Sequence, residues 1–176
     1  MKDSCILVVD DDPTNFEVIE TLLERQSYQL HYASDGESAL AVLATVNPDL
    51  ILLDIMMPGI NGVETCKAIR SQPQWSTVPI IMVTALDNTL VLSHCLTAGA
   101  NDFITKPINS IELQARVRSM LRIKQQYDDI QNLSVLQSNT ISFLQGTLDE
   151  LRGNLARSLS HELNTPLNGI IGTLSL

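Results

Sequence analysis

Two kinds of apolar pattern alternate along this chain. Residues 5–9, 50–53 and 79–83 are short unbroken apolar runs, the pattern of strands buried on both faces rather than on one. Weaker strands are expected near residues 29–33 and around Phe103 and Ile104. Between the runs, apolar residues return every three or four positions. The helix beginning at Pro13 lines up Phe16, Ile19, Leu22 and Leu23, and the next lines up Ala39, Leu40 and Leu43. Further helices are expected from about Gly62 to Ser71 and from Asp87 to a stop at Gly99. Strand and helix thus repeat five times. That predicts an α/β fold, a doubly wound five-stranded parallel sheet with helices on both faces, wound in the flavodoxin-like order 2-1-3-4-5.

Polar residues at the joints support these boundaries. Asp12 precedes Pro13, a cap followed by the residue that best tolerates a first helical position. Ser34-Asp35-Gly36-Glu37 and Asn61 with Glu64 both have capping-box spacing, and Asn47-Pro48-Asp49 ends the second helix.

A different pattern takes over after the fifth repeat. Asn109 is expected to cap a helix with Glu112 at its third position, and no proline follows until Pro166. Leu113, Val117 and Met120 start its apolar face. From Ile123 the spacing is a strict four-three through Tyr127, Ile130, Ser134, Gln137, Ile141, Leu144, Leu148, Leu151 and Leu155. This is a heptad seam, and a parallel homodimer through residues 123–176 is the expected way to cover it. Ser134 and Gln137 are polar seam positions that weaken pairing but fix register. The spacing slips to four-four at Leu159 and Leu163, then resumes through Leu167, Ile170 and Leu174. Three segments are expected: residues 1–122 as the α/β domain, 123–157 as a long coiled-coil helix, and 158–176 as the start of another helical module.

Composition narrows the partners. With 20 acidic against 11 basic residues the net charge is −9, which disfavours nucleic acid and anionic membranes. No run is long enough for a signal peptide or membrane span, so a soluble, cytoplasmic chain is expected. Three cysteines, Cys5, Cys66 and Cys95, are odd in number and set among apolar residues, and are read as reduced core thiols. His31 and His94 have no partner at metal-ligand spacing and are read as ordinary histidines, and Trp75 as a partly buried loop anchor. No glycine-rich phosphate loop is present.

The chemistry gathers at strand ends. Strand one ends in Asp10 and Asp11, strand three in Asp54, strand four in Thr84 and strand five in Lys106, all on one edge of one sheet. Adjacent carboxylates repel one another; a helix cap accounts for Asp12, and a cation site accounts for the other two. Hard carboxylate oxygens suit Mg²⁺. The metal, the Thr84 hydroxyl and the Lys106 ammonium can each hold an oxygen of a phosphoryl group passing to Asp54 as nucleophile.

Val8-Val9-Asp10-Asp11, Leu53-Asp54-Ile55-Met56-Met57-Pro58-Gly59, Val83-Thr84-Ala85 and Thr105-Lys106-Pro107 together resemble the receiver domain of two-component response regulators over residues 1 to about 122. The resemblance implies that Asp54 is phosphorylated from a phosphohistidine. It implies Mg²⁺ held by Asp10, Asp11, Asp54 and the Met56 main-chain carbonyl. It further implies that Thr84 and Lys106 sense the phosphate, that Phe103 changes rotamer with Thr84, and that the Lys106–Pro107 bond is cis. Farther on, Ser160-His161-Glu162-Leu163-Asn164-Thr165-Pro166-Leu167-Asn168-Gly169 resembles the H-box of sensor histidine kinases. There His161 would be the phosphorylated imidazole, Glu162 its activator, and Thr165 the residue that positions water for dephosphorylation. Asn164 departs from the basic residue usual at its position, which leaves the phosphoryl contacts open. A zinc protease motif fails, because position 165 is Thr where a second histidine is needed.

The expectation is a receiver that regulates an attached kinase through a dimeric helix. The phosphodonor would be another histidine kinase or His161 itself. The ATP-binding domain is missing from this chain, which should carry only phosphotransfer and autodephosphorylation activity. Two alternatives stand beside it. A haloacid dehalogenase-type phosphatase needs a second Asp two positions after the nucleophile, where Met56 stands. A constitutive dimerisation scaffold would have an inactive pocket.

Overall fold

The computed structural model describes residues 4–85 and 89–173, with side chains described through residue 160 apart from that of Thr89. Five parallel strands, β1 (Ser4–Val9), β2 (Tyr28–Ala33), β3 (Leu50–Asp54), β4 (Ile80–Thr84) and β5 (Asp102–Thr105), form one sheet in the order β2-β1-β3-β4-β5. The helices are α1 (Pro13–Leu23), α2 (Gly36–Val46), α3 (Gly62–Arg70), α4 (Thr89–Thr97) and α5 (Ser110–Thr173). The expected winding is the observed one.

The unbroken apolar runs are central strands, and every residue of β3 and β4 is buried. Successive side chains point to opposite faces, so each strand feeds two cores. On one face Leu7, Val9, Leu53 and Met82 pack with Leu43 of α2, Ile69 of α3 and Cys95 of α4. On the other, Ile6, Val8, Leu52 and Val83 pack with Ile19 and Leu23 of α1 and with Leu113 and Val117 of α5. Cys5, Cys66 and Cys95 are buried and outside any disulfide, as expected, with Cys66 and Cys95 in the first of these cores.

The joints follow local chemistry with one correction. Asp12 accepts from the Thr14 N–H, and Pro13 begins α1. Asn61 and Glu64 make the full capping box of α3, and Asn109 accepts from the Ile111 and Glu112 N–H groups. The cap of α2, however, is Asp35 rather than Ser34. Asp35 accepts from the Ser38 N–H at 2.8 Å while the Ser34 hydroxyl donates to Asp35. A carboxylate at the cap takes both the backbone donor and the neighbouring hydroxyls, and leaves the serine one residue outside. Asp87, the expected start of α4, lies outside the described residues.

One half-buried cation ties two loops together, the α3–β4 and α4–β5 connections. From the last position of α3, Arg70 Nε donates to the Gly99 carbonyl at 2.8 Å. Its other nitrogens reach the carbonyls of Trp75 (3.1 Å) and Val78 (2.8 Å) and the Asn101 side chain (2.8 Å). Four neutral oxygens thereby replace a carboxylate partner. Gly99 has φ +102 and lies so close that a Cβ there would meet Arg70 Cγ at 2.8 Å. Trp75, expected as a partly buried loop anchor, is buried, at 8% exposure in the 3₁₀ turn Pro73–Trp75.

The chain divides into two compact units, residues 1–128 and 129–176. In the second, Ile130, Ile141, Leu144, Leu148, Leu151 and Leu155 of the heptad seam are all exposed on the single chain, as are Leu133, Leu136 and Phe143 beside it. Among the described residues no helix is long and apolar enough to cross a membrane.

Candidate phosphoacceptor site

Register explains why the strand-end residues meet. Val9 pairs with Leu53, Asp54 with Val83, and Thr84 with Thr105. Asp10 and Asp54 therefore leave adjacent strands at the same level, and Lys106 follows one residue beyond the Thr84–Thr105 pair. The Lys106 N–H also donates to the Thr84 carbonyl at 2.7 Å, which carries the backbone of β5 past the end of the sheet. The Lys106–Pro107 bond is cis, as the resemblance implies.

The side chains converge. Lys106 Nζ lies 2.9 Å from Asp10 Oδ2 and 3.3 Å from Asp54 Oδ1. Carboxylate oxygens of Asp10, Asp11 and Asp54 all fall within 4.8 Å of one another. Asp10 and Asp54 are buried and Asp11 is exposed, so the cluster opens to solvent on one side. Thr84 is fully buried at the end of β4. Met56 lies just past the strand end with its side chain exposed. Of the expected site, then, Asp10, Asp11, Asp54 and Lys106 come together by side chain, and Thr84 adjoins them through its carbonyl, which accepts from the Lys106 N–H. His161, Glu162 and Thr165 lie outside the residues whose side chains are described.

Two residues around Asp10 were not singled out from the sequence. Asp10 Oδ1 accepts from the Asp12 N–H at 3.0 Å and from Asn15 Nδ2 at 2.8 Å. The Tyr32 hydroxyl donates to the Asp10 carbonyl at 2.9 Å, and its ring lies 5.2 Å from that of Phe16. Asn15 sits in the first turn of α1, five residues after Asp10, so its spacing was a usable signal. Tyr32 comes from another strand and had none. Phe103, half-buried, packs against the core from β5 with the Arg116 guanidinium 5.9 Å from its ring centroid.

The electrostatics favour a charged lysine and a reluctant carboxylate. Burial pushes the Asp54 carboxyl above its ordinary value; Lys106 pulls it down, and Asp10 adds to the rise. Burial works against the Lys106 ammonium, but its bond to Asp10 and the charge of Asp54 outweigh this and hold it above the ordinary lysine value. Lys106 therefore stays cationic at neutral pH. A carboxyl whose pKa rises on folding opposes folding once ionised, and this penalty vanishes as pH falls through the raised value. The metal-free Asp54→Asn variant should accordingly melt above the native chain near neutral pH, and the gap should close on acidification. Melting curves in a chelator across that range check this; a gap that does not change with pH would contradict the assignment.

The comparisons with known proteins agree with this geometry. Residues 6–118 match the family profile described as "Response regulator receiver domain". The response regulator PleD of Caulobacter vibrioides is 39% identical over 152 residues, covering 85% of this chain and 34% of PleD. The DNA-binding response regulator MtrA of Mycolicibacterium smegmatis is 42% identical over 117 residues, covering 66% of this chain and 50% of MtrA. The chain thus spans half or less of the length of these curated relatives. Among solved structures, the receiver domain of a signal transduction histidine kinase from Syntrophus aciditrophicus superposes with a TM-score of 0.63 at 35% identity, covering 68% of this chain and 90% of that one. The receiver domain of the Francisella response regulator 1452 does so with a TM-score of 0.63 at 34% identity, covering 68% and 98%.

Proposed function

This chain belongs to the response regulator receiver domain family, and from that premise we propose that Asp54 accepts a phosphoryl group and that the change is passed through α5 to an attached histidine kinase. The observation that carries the reading is the convergence of Lys106, Asp10 and Asp54 at one sheet edge, with Lys106 bonded to both carboxylates.

In the transfer, an Asp54 carboxylate oxygen attacks phosphorus. The new oxygen–phosphorus bond forms as the bond to the donor, a histidine imidazole or a small acyl phosphate, breaks, and the donor leaves with the electron pair. Lys106, already aimed at Asp54, balances negative charge on the incoming group. The Thr84 hydroxyl is the donor at the end of the neighbouring strand. The oxygen-only donor set of Asp10, Asp11 and Asp54 fits Mg²⁺, with the Met56 carbonyl as a further ligand by family resemblance. When bound, the ion supplies charge neutralisation for the phosphoryl oxygens. Incubation with labelled acetyl phosphate should give Mg²⁺-dependent incorporation that is lost in alkali, as an acyl phosphate is. Steady release of phosphate from unrelated small esters would instead favour the phosphatase alternative.

The second half of the proposal concerns residues 123–176. Exposed leucines at heptad spacing in the second unit support a parallel homodimer, since a seam left in water forfeits its burial energy. The receiver domain of a histidine kinase among the similar structures supports attachment to a kinase. The resemblance of residues 160–169 to an H-box supports His161 as a phosphoacceptor, with Glu162 and Thr165 as its helpers.

Sedimentation equilibrium of the full chain should give a dimer. Leu148→Glu should weaken it at least about a hundredfold, because two buried leucines are lost and two like charges meet. A native chain that sediments as a monomer at high concentration would remove the dimer from the proposal. For the coupling, Asp54→Ala in a longer parent carrying the kinase should abolish the response of autophosphorylation to a phosphodonor.

A further inference from the structure

Arg116 stands in α5 with every guanidinium nitrogen engaged. Nε donates to Glu112 Oε1 at 2.9 Å, and NH2 lies 2.8 Å from the same oxygen, one helical turn back. NH1 reaches both oxygens of Asp102 on β5, at 2.7 and 2.6 Å. Asp102 Oδ1 in turn accepts the N–H of Phe103 at 2.9 Å. Held at both ends, the guanidinium lies 5.9 Å from the centroid of the Phe103 ring, within the range of a cation–π contact. On its inner side the same ring packs against the core that holds Met82 and Cys95. Phe103 is three residues from Lys106 on the strand that ends at the phosphoacceptor pocket, and Arg116 is on the helix that leaves this unit.

We propose that Arg116 is a positioning residue, a clamp that holds the Phe103 ring in its present rotamer and makes release of that ring the step by which the state of Asp54 reaches α5. The proposal rests on the reading of Phe103 as the aromatic that responds to Asp54. Three features carry it. The guanidinium cannot turn away from the ring without breaking bonds to Asp102 or Glu112. The carboxylate that anchors it also holds the Phe103 backbone, so ring and clamp share one support. Finally, the contact joins the pocket-bearing strand to the output helix. A cation over an aromatic face favours the rotamer that makes the contact, so its loss shifts the ring toward any alternative position.

The test uses the full chain labelled with fluorophenylalanine. Three phenylalanines give three ¹⁹F signals, and Phe103→Leu assigns the one that matters. In the native chain, Mg²⁺ with beryllofluoride should move the Phe103 signal. In Arg116→Met, the signal should already lie partway toward that position before any addition, and beryllofluoride should bind about twofold to fivefold more tightly, the factor expected for an exposed cation–π contact. Asp102→Asn, which keeps an acceptor for the Phe103 N–H but loosens Arg116, should shift both readouts in the same direction. A native signal that moves, with unchanged resting position and affinity in both variants, would overturn the clamp alone. A native signal that stays put while Asp54 still becomes labelled would overturn the rotamer reading and the clamp with it.

Discussion

Asp54→Asn should reduce Mg²⁺-dependent incorporation from acetyl phosphate to background while leaving a folded and, without metal, more stable chain. The amide keeps the shape of the side chain but has no nucleophilic oxygen, so the new bond to phosphorus cannot form. Asp10 and Asp11 remain nearby, yet Asp10 already accepts Asp12, Asn15 and Lys106, and Asp11 stands on the open side of the cluster. The gain in stability follows from removing a carboxylate that is 4% exposed and lies within 4.8 Å of two others. Activity and stability thus move in opposite directions, which separates loss of the nucleophile from loss of the fold. The measurements are incorporation by gel or mass spectrometry and a melting curve in chelator. Residual labelling above a few per cent of native would place the acceptor elsewhere.

Gly62→Ala should have the largest structural effect of any single methyl added to the first unit. A Cβ at residue 62 would lie 2.0 Å from the Asp54 carbonyl oxygen and 2.8 Å from Ile55 Cα. Both neighbours are backbone, at the end of a central strand whose side chains are all buried, so neither can swing aside. The Gly62 N–H also donates to the Ile55 carbonyl at 3.0 Å, and Asn61 beside it caps α3. Relief requires moving either the start of α3 or the strand end that presents Asp54. We expect a loss of about 3 kcal/mol or more, the upper range for an overpacked core. That corresponds to a fall of about 10 °C or more in Tm for a unit of this size. Labelling of the remaining folded chain should slow, because the displaced atoms include the Asp54 carbonyl. Gly146→Ala is the internal control: a Cβ there meets nothing within 4 Å, and in a helix the change should stabilise by about 1 kcal/mol. If the two alanines have similar effects, the close approach at Gly62 does not constrain the site.

Much of this molecule was legible as a string because its governing interactions are local. The apolar runs marked the buried strands. Asp12, Asn61 and Asn109 marked helix starts because a cap reaches only two or three residues along the chain. Even the cap misassigned to Ser34 was wrong by one position, since Ser34 and Asp35 compete for the same donors. The site residues were legible for a related reason. In a parallel sheet all strands end on the same edge, so a polar residue closing each apolar run had to approach its counterparts. Asp10, Asp54, Thr84 and Lys106 needed no register to be grouped.

What had no local signature was settled only by packing. The Tyr32 hydroxyl meets the Asp10 carbonyl across 22 positions of sequence, and Lys106 meets Asp10 across 96. Arg70 reads as a surface arginine at a helix end until the Gly99, Trp75 and Val78 carbonyls close around it. Arg116 comes to lie against Phe103 because α5 packs Leu113 and Val117 into the sheet, which carries the intervening face across β5. Local pattern sufficed for the buried strand runs, the residues that close them and, to within one position, the helix caps, because each depends on neighbours close along the chain. Which donors surround Asp10 and what lies against Phe103 came from packing, because long-range contacts depend on strand register and helix placement, which no short stretch of chain encodes.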